Sequence, residues 1–189
     1  MPSSVIDSPA TKPASRYLAC LRLPEILVLQ GSPLLGAAFG IPRPRAEHVE
    51  PLAILAVANV CLVAHIFMLN DWAGLSADLS DPNKAGRVFT TRGVEARQVG
   101  GLTIILLVVS LVLFSRLGAL TLGLAFAIAG LSALYSVPGL DWKGKPGLSS
   151  LVHLAGGILH FLLGYGVVSA IDGRALATAT FFGLSFAAG

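Results

Sequence analysis

The chain has 189 residues, 54% hydrophobic and only 12% charged, with a formal net charge of +3. A water-soluble domain carries about 25% charged residues, and here the few charges are clustered, leaving Pro51–Asn70, Gln98–Ser115, Leu117–Leu140 and Pro146–Ile171 free of them. The pattern excludes an ordinary soluble domain, and so small a basic excess gives no ground for a nucleic-acid partner.

In chain order, residues 1–16, MPSSVIDSPATKPASR, are polar and proline-bearing. No basic n-region leads into an apolar h-region, so they read as a disordered tail without a cleavable signal. A segment over 17–41 follows, apolar after Glu25, with Gly36 and Gly40 spaced for close helix packing. Further apolar runs cover about 51–69, 99–115, 117–135, 150–171 and 174–189. Most approach or exceed the ~18–20 residues with which an α-helix crosses the hydrocarbon core. They are apolar all round and lack the ~10-residue alternation of a β-barrel. The expected fold is therefore all-α, a polytopic transmembrane bundle of about six helices forming one domain over 17–189. Cys20 and Cys61 fall in or beside apolar spans and read as packing residues without a disulfide.

Alternating the spans puts the tail, the 70–98 loop and the 136–149 loop on one side, with nine basic residues against four on the other. The positive-inside rule assigns that side to the cytoplasm. There the second span ends in MLNDWAGLSADLSDPNKAGRVF. If the helix runs past the membrane edge, Asp71 and Asp78 share a face about 10 Å apart along the axis. Asp81 follows Asp78 at i+3, and Pro82 ends the helix. Lys84, Arg87, Arg92 and Arg97 come next. Carboxylates beside cations suit a diphosphate and Mg²⁺, which takes few carboxylates and completes its shell with waters and phosphate oxygens. A solvated loop of mixed charge is the plainer alternative on spacing alone. A second segment on the same side, LSALYSVPGLDWKGKPGLSSLVHLAGG, adds Tyr135, Lys143 and Lys145.

Together the two segments resemble the UbiA-type intramembrane prenyltransferases. The family's first acidic motif reads Asn-Asp-x-x-Asp-x-x-x-Asp, matched here by Asn70, Asp71 and Asp78, with RVFTTRGV from Arg87 similar to the stretch that follows it. A later family connection, Tyr-Ser-x-Pro-Pro-x-x-Leu-Lys, resembles YSVPGLDWK, with Tyr135, Ser136, Pro138 and Lys143 in place. Arg22 in LRLPEI resembles the basic residue opening the family's first helix. The resemblance implies about nine helices and transfer of a prenyl group from a prenyl diphosphate to an aromatic or membrane-soluble acceptor within the lipid bilayer. It implies Asp71 and Asp78 as Mg²⁺ ligands with Asp81 nearby, Asn70, Arg22, Arg87 and Lys143 as substrate-binding residues, and Tyr135 beside the reacting centre. Gly74 stands where the family has its middle aspartate. The chain also stops before the family's second acidic motif, which implies a C-terminally incomplete chain, inactive alone. The rival readings are a transport or permeation protein, and a non-catalytic remnant of the family.

His65, His153 and His160 lie in apolar runs, where an ionisable side chain raises a functional question. His65 is expected near the cavity below Asp71 and His153 near the acceptor, against the alternative of imidazoles hydrogen-bonded to a neighbouring helix. Glu25 is expected to pair with Arg22 at i+3.

Overall fold

Two prolines shape the first span. In the computed structural model, which describes Tyr17 and residues 20–139 and 142–188, this span begins at Leu23 and is two helices, α1 (Leu23–Leu29) and α2 (Gly31–Gly40). Pro24 occupies the first turn of α1. Pro33 has no N–H to give the Leu29 carbonyl, so the ladder is interrupted one turn before it. Gln30 spans the break: its Nε2 donates to the Ile26 carbonyl at 3.0 Å, and its Oε1 accepts from Asn59 Nδ2 at 3.0 Å. The apolar segment read over 17–41 thus holds two helices with a break at Gln30. The 1–16 tail lies outside the described residues.

The remaining helices are α3 (Val49–Ala73), α4 (Leu75–Ser80), α5 (Ala96–Leu117), α6 (Ala119–Ser136), α7 (Pro146–Val168) and α8 (Gly173–Ala188). Among the described residues, five segments are long and apolar enough to cross a membrane: Leu23–Gly40, Ala46–Ala73, Ala96–Leu117, Ala119–Ser136 and Pro146–Val168. The all-helical membrane bundle is as expected. Its surface carries Ile104, Ile105, Val108, Val109 and Val112 on α5, and Phe181 and Leu184 on α8. Apolar side chains outside as well as inside suit a bilayer as solvent.

The core lies where α3, α5, α6 and α7 meet, around Leu55, Leu62, Phe114, Ile128 and Leu163, all at most 2% exposed. Two polar ties lock α5 to α3: Ser110 Oγ donates to the Ala58 carbonyl at 3.0 Å, and His65 Nδ1 lies 2.9 Å from the Thr103 carbonyl. His65 is therefore the helix-bonded imidazole of the plainer reading and does not line the cavity. Along the α2–α7 seam, side chains give way to backbone. A Cβ on Gly36 would overlap the Phe161 carbonyl, and one on Gly164 the Pro33 carbonyl. Neither Cys20 nor Cys61 is in a disulfide.

Candidate functional site

The acidic segment continues α3 beyond the apolar run. Gly74 separates α3 from α4 while keeping helical torsions (φ −83°, ψ −4°), and α4 carries on to Ser80. Asp81 is extended and accepts from the Asn83 N–H at 2.9 Å, a local turn set by Pro82. The chain then folds back through two 3₁₀ turns, Ala85–Arg87 and Phe89–Arg92. Buried Phe89 anchors this loop on Met68, Val94 and Val99. Gly93 reverses it at φ 71°, a torsion glycine adopts without steric cost. A capping box between Glu95 and Gln98 starts α5.

This folding closes a charged rim pocket of about 190 Å³, lined by Arg22, Asp71, Asp78, Lys84, Arg87, Val88 and Phe89. Arg22 grips Asp71 with two donors, Nη2 to Oδ1 at 2.6 Å and Nε to Oδ2 at 3.2 Å. This replaces the expected pair with Glu25. Arg22 precedes α1 in the left-handed conformation (φ 44°, ψ 50°), so the i+3 helical geometry that would bring Glu25 to it does not exist. Such a torsion costs a non-glycine residue ~1–2 kcal/mol. The guanidinium also lies 5.6 Å from the Phe67 ring centroid. Lys84 Nζ stands 3.4 Å from Asp78 Oδ1 and 3.8 Å from Asp81 Oδ2.

Below the rim opens an apolar cavity of about 380 Å³ between α1, α3, α6 and α7, whose walls include Val63, Phe67, Ile128, Leu131 and Val152. Arg22 belongs to both pockets. Asn70, Tyr135 and His153 also line the cavity, and the last two meet edge to face with centroids 5.7 Å apart. Lys143 Nζ donates to Asn70 Oδ1 at 3.0 Å, joining the two motifs across 73 residues of sequence. His160 lines the cavity as well, its Nδ1 at 2.9 Å from the Gly156 carbonyl of its own helix.

The structure therefore brings Arg22, Asp71, Asp78 and Arg87 to one pocket, and Asn70, Tyr135 and Lys143 to its border with the cavity. Asp81 stands outside the lining of the pocket, reached through Lys84. Lys84 and Phe67 are the additions to the expected set. Phe67 had a sequence signal, since it precedes Asp71 by one helical turn. Among the described residues no group of three or more His, Cys, Asp or Glu side chains is placed to hold a metal alone. Two carboxylates among three cations do fit Mg²⁺ shared with phosphate oxygens, the arrangement in which that ion commonly binds. At Gly74 an added Cβ would stand 3.5 Å from Asp78 Oδ2 and 3.0 Å from the Asn70 carbonyl. A side chain there would enter the neighbourhood of the Asp78 carboxylate.

Comparison with known proteins bears on the sequence pattern and the fold. The sequence model of the UbiA prenyltransferase family matches residues 29–189. No curated protein sequence matches the chain. Among solved structures, it is similar to a UbiA homologue from Archaeoglobus fulgidus bound to DMAPP and Mg²⁺, at TM-score 0.77 and 18% identity, over 90% of this chain and 61% of that one. The same homologue bound to GPP and Mg²⁺ aligns with TM-score 0.77 and 18% identity, over 90% and 60% of the two chains. The chain thus spans about three-fifths of the length of these structures.

Proposed function

The chain belongs to the UbiA prenyltransferase family, and on that premise we propose that it binds a prenyl diphosphate for transfer of the prenyl group to an acceptor in the membrane. The observation that carries the reading is the junction of two unlike pockets at Arg22: a charged rim pocket sized for a diphosphate and an apolar cavity sized for an isoprenoid tail. Arg22 and Arg87 take the phosphate oxygens with planar forks that match them, and Lys84 adds longer-range positive charge. Asp71 and Asp78 hold Mg²⁺, with Asp81 acting through Lys84. When bound, that ion supplies charge neutralisation on the departing diphosphate. Lys143 fixes the amide of Asn70 at the border. Tyr135 and His153, in edge-to-face contact, line the cavity with Asn70. Apolar walls keep water from an electron-poor prenyl carbon.

In this reading residues 17–189 act as one membrane domain, and the rim pocket faces the cytoplasm, the side receiving nine of the thirteen basic residues. The acceptor is an aromatic or other membrane-soluble molecule. With two carboxylates for the metal, the chain is expected to bind diphosphate far better than it turns over. Calorimetry in nanodiscs tests the reading. Geranyl diphosphate with Mg²⁺ should bind at least tenfold more tightly than either geraniol or inorganic diphosphate with Mg²⁺. Equal affinities for the intact ligand and its parts would sink it.

A further inference from the structure

Arg22 lines the rim pocket, the apolar cavity and a small recess of about 90 Å³ beside them. It also occupies both oxygens of Asp71. The residue best placed to meet the anion is thus the one that covers the first metal ligand. We propose that Arg22 is an exchangeable counter-ion: it closes Asp71 in the ligand-free protein and transfers to the diphosphate, so that metal binding waits on the anion. The inference rests on the reading of the rim pocket as a diphosphate site.

Three observations support the exchange. First, the charged side chains lining the rim pocket are two carboxylates and three cations, a net +1. A bare dication meets a positive site, and an anion meets a favourable one. Second, the Arg22 side chain is 44% exposed and that of Asp71 25%. Water reaches the pair, so its net strength is modest, and a multiply charged phosphate can outbid one carboxylate for the guanidinium. Third, Asp71 is not the sole neighbour of the guanidinium. That group rests over the Phe67 ring at 5.6 Å, and Phe67 is a wall of the cavity that Arg22 also lines. Arginine stays protonated throughout, so the exchange is of partners and involves no proton. Asp78 differs in kind: Lys84 approaches its Oδ1 at 3.4 Å, and among the described residues no two-donor clamp like that of Arg22 holds it.

The test uses the full chain in nanodiscs, titrated with Mg²⁺ alone, inorganic diphosphate alone, and diphosphate in the presence of Mg²⁺. Calorimetry is the readout, with the fluorescence of Trp72, next to Asp71, as a second. Wild type should bind diphosphate alone and show no Mg²⁺ binding below millimolar concentrations until diphosphate is present. Arg22→Gln should bind Mg²⁺ alone about tenfold more tightly and diphosphate alone about tenfold more weakly. Asp71→Asn should do the reverse for the anion, binding diphosphate alone several-fold more tightly with no gain from Mg²⁺. Arg22→Lys, which keeps the charge and loses the fork, should fall between wild type and Arg22→Gln, and serves if the latter does not fold. Unchanged or weaker Mg²⁺ binding in the Arg22 variants, or no tightening of diphosphate in Asp71→Asn, overturns the exchange while leaving the site itself standing. Failure of wild type to bind diphosphate under any of these conditions overturns both.

Discussion

The α2–α7 seam and the rim pocket use opposite means. In the seam, two helices approach until side chains are excluded: Gly36 faces the Phe161 carbonyl, Gly164 faces the Pro33 carbonyl, and a Cβ on Gly40 would lie 2.7 Å from Val168 Cγ2. At the rim, long charged side chains reach across partly open space, and the Arg22–Asp71, Lys84–Asp78 and Lys84–Asp81 pairs each have both partners at least a quarter exposed. Without a hydrophobic force between helices in lipid, the seam depends on close van der Waals packing. The rim depends on charges that water and ligand can compete for. The seam thus has no room for a side chain to change, and the rim has room for several to move.

The largest expected effect breaks the seam. Gly164→Val puts a branched side chain into the Pro33 backbone, where neither partner is a flexible tip that can turn away. Overpacking a core costs about 1–3 kcal/mol, and overlap with backbone belongs at or above the top of that range. Thermal unfolding in detergent should show loss of the folded species, with Gly36→Ala next in severity. Gly130→Ala is the control, because its Cβ would meet nothing within 4 Å; its stability should stay within ~1 kcal/mol of wild type. Similar losses for Gly164→Val and Gly130→Ala would mean that glycine serves some purpose here other than packing.

A smaller effect sharpens the contrast, because Gly74 is a glycine at the rim. Its torsions are those of ordinary helix, and its Cβ would lie 3.0 Å from the Asn70 carbonyl, close enough to require a shift of a few tenths of an ångström and no more. Gly74→Asp would add a carboxylate on the side of Asp78. In the presence of inorganic diphosphate, Mg²⁺ affinity measured by calorimetry should rise about tenfold, or ~1.4 kcal/mol. No rise would show that the metal, when bound, sits away from this turn.

Why parts of the molecule were legible in the sequence follows from the same division. Spans are written in long charge-free runs, and the seam in Gly36, Gly40 and Gly164. The continuation of the acidic helix and its stop before Pro82 follow from helix period and proline sterics. The two motifs do meet, Lys143 on Asn70, and Tyr135 lines the cavity beside them. What failed was pairing at a distance. Arg22 was matched to Glu25 because i+3 is the nearest local partner, but its left-handed backbone removes it from the helix and turns it to Asp71, 49 residues away. Asp81 was set on one side with Asp78 by the same helical rule, and the helix ends at Ser80. The break at Gln30 had a signal in Pro33. Its closure by Asn59 had none, since that bond exists only once α1 and α3 lie together.

The smallest effect asks how replaceable a rim charge is. Lys84 is 60% exposed, and it meets Asp78 and Asp81 at 3.4 and 3.8 Å without a fork to fix the geometry. Exposed pairs of this kind contribute ~0.2–1 kcal/mol, so Lys84→Ala should leave thermal stability within that margin. Diphosphate binding should weaken two- to three-fold at ~0.1 M salt, where charges about 10 Å apart are already screened. Lowering the salt tenfold should widen the gap between Lys84→Ala and wild type, because the missing term is long-range attraction and no fixed hydrogen bond goes with it. A salt-independent loss would make Lys84 a direct ligand held as firmly as Arg22. The rim would then share the rigidity of the seam, and the contrast between the two regions would fall.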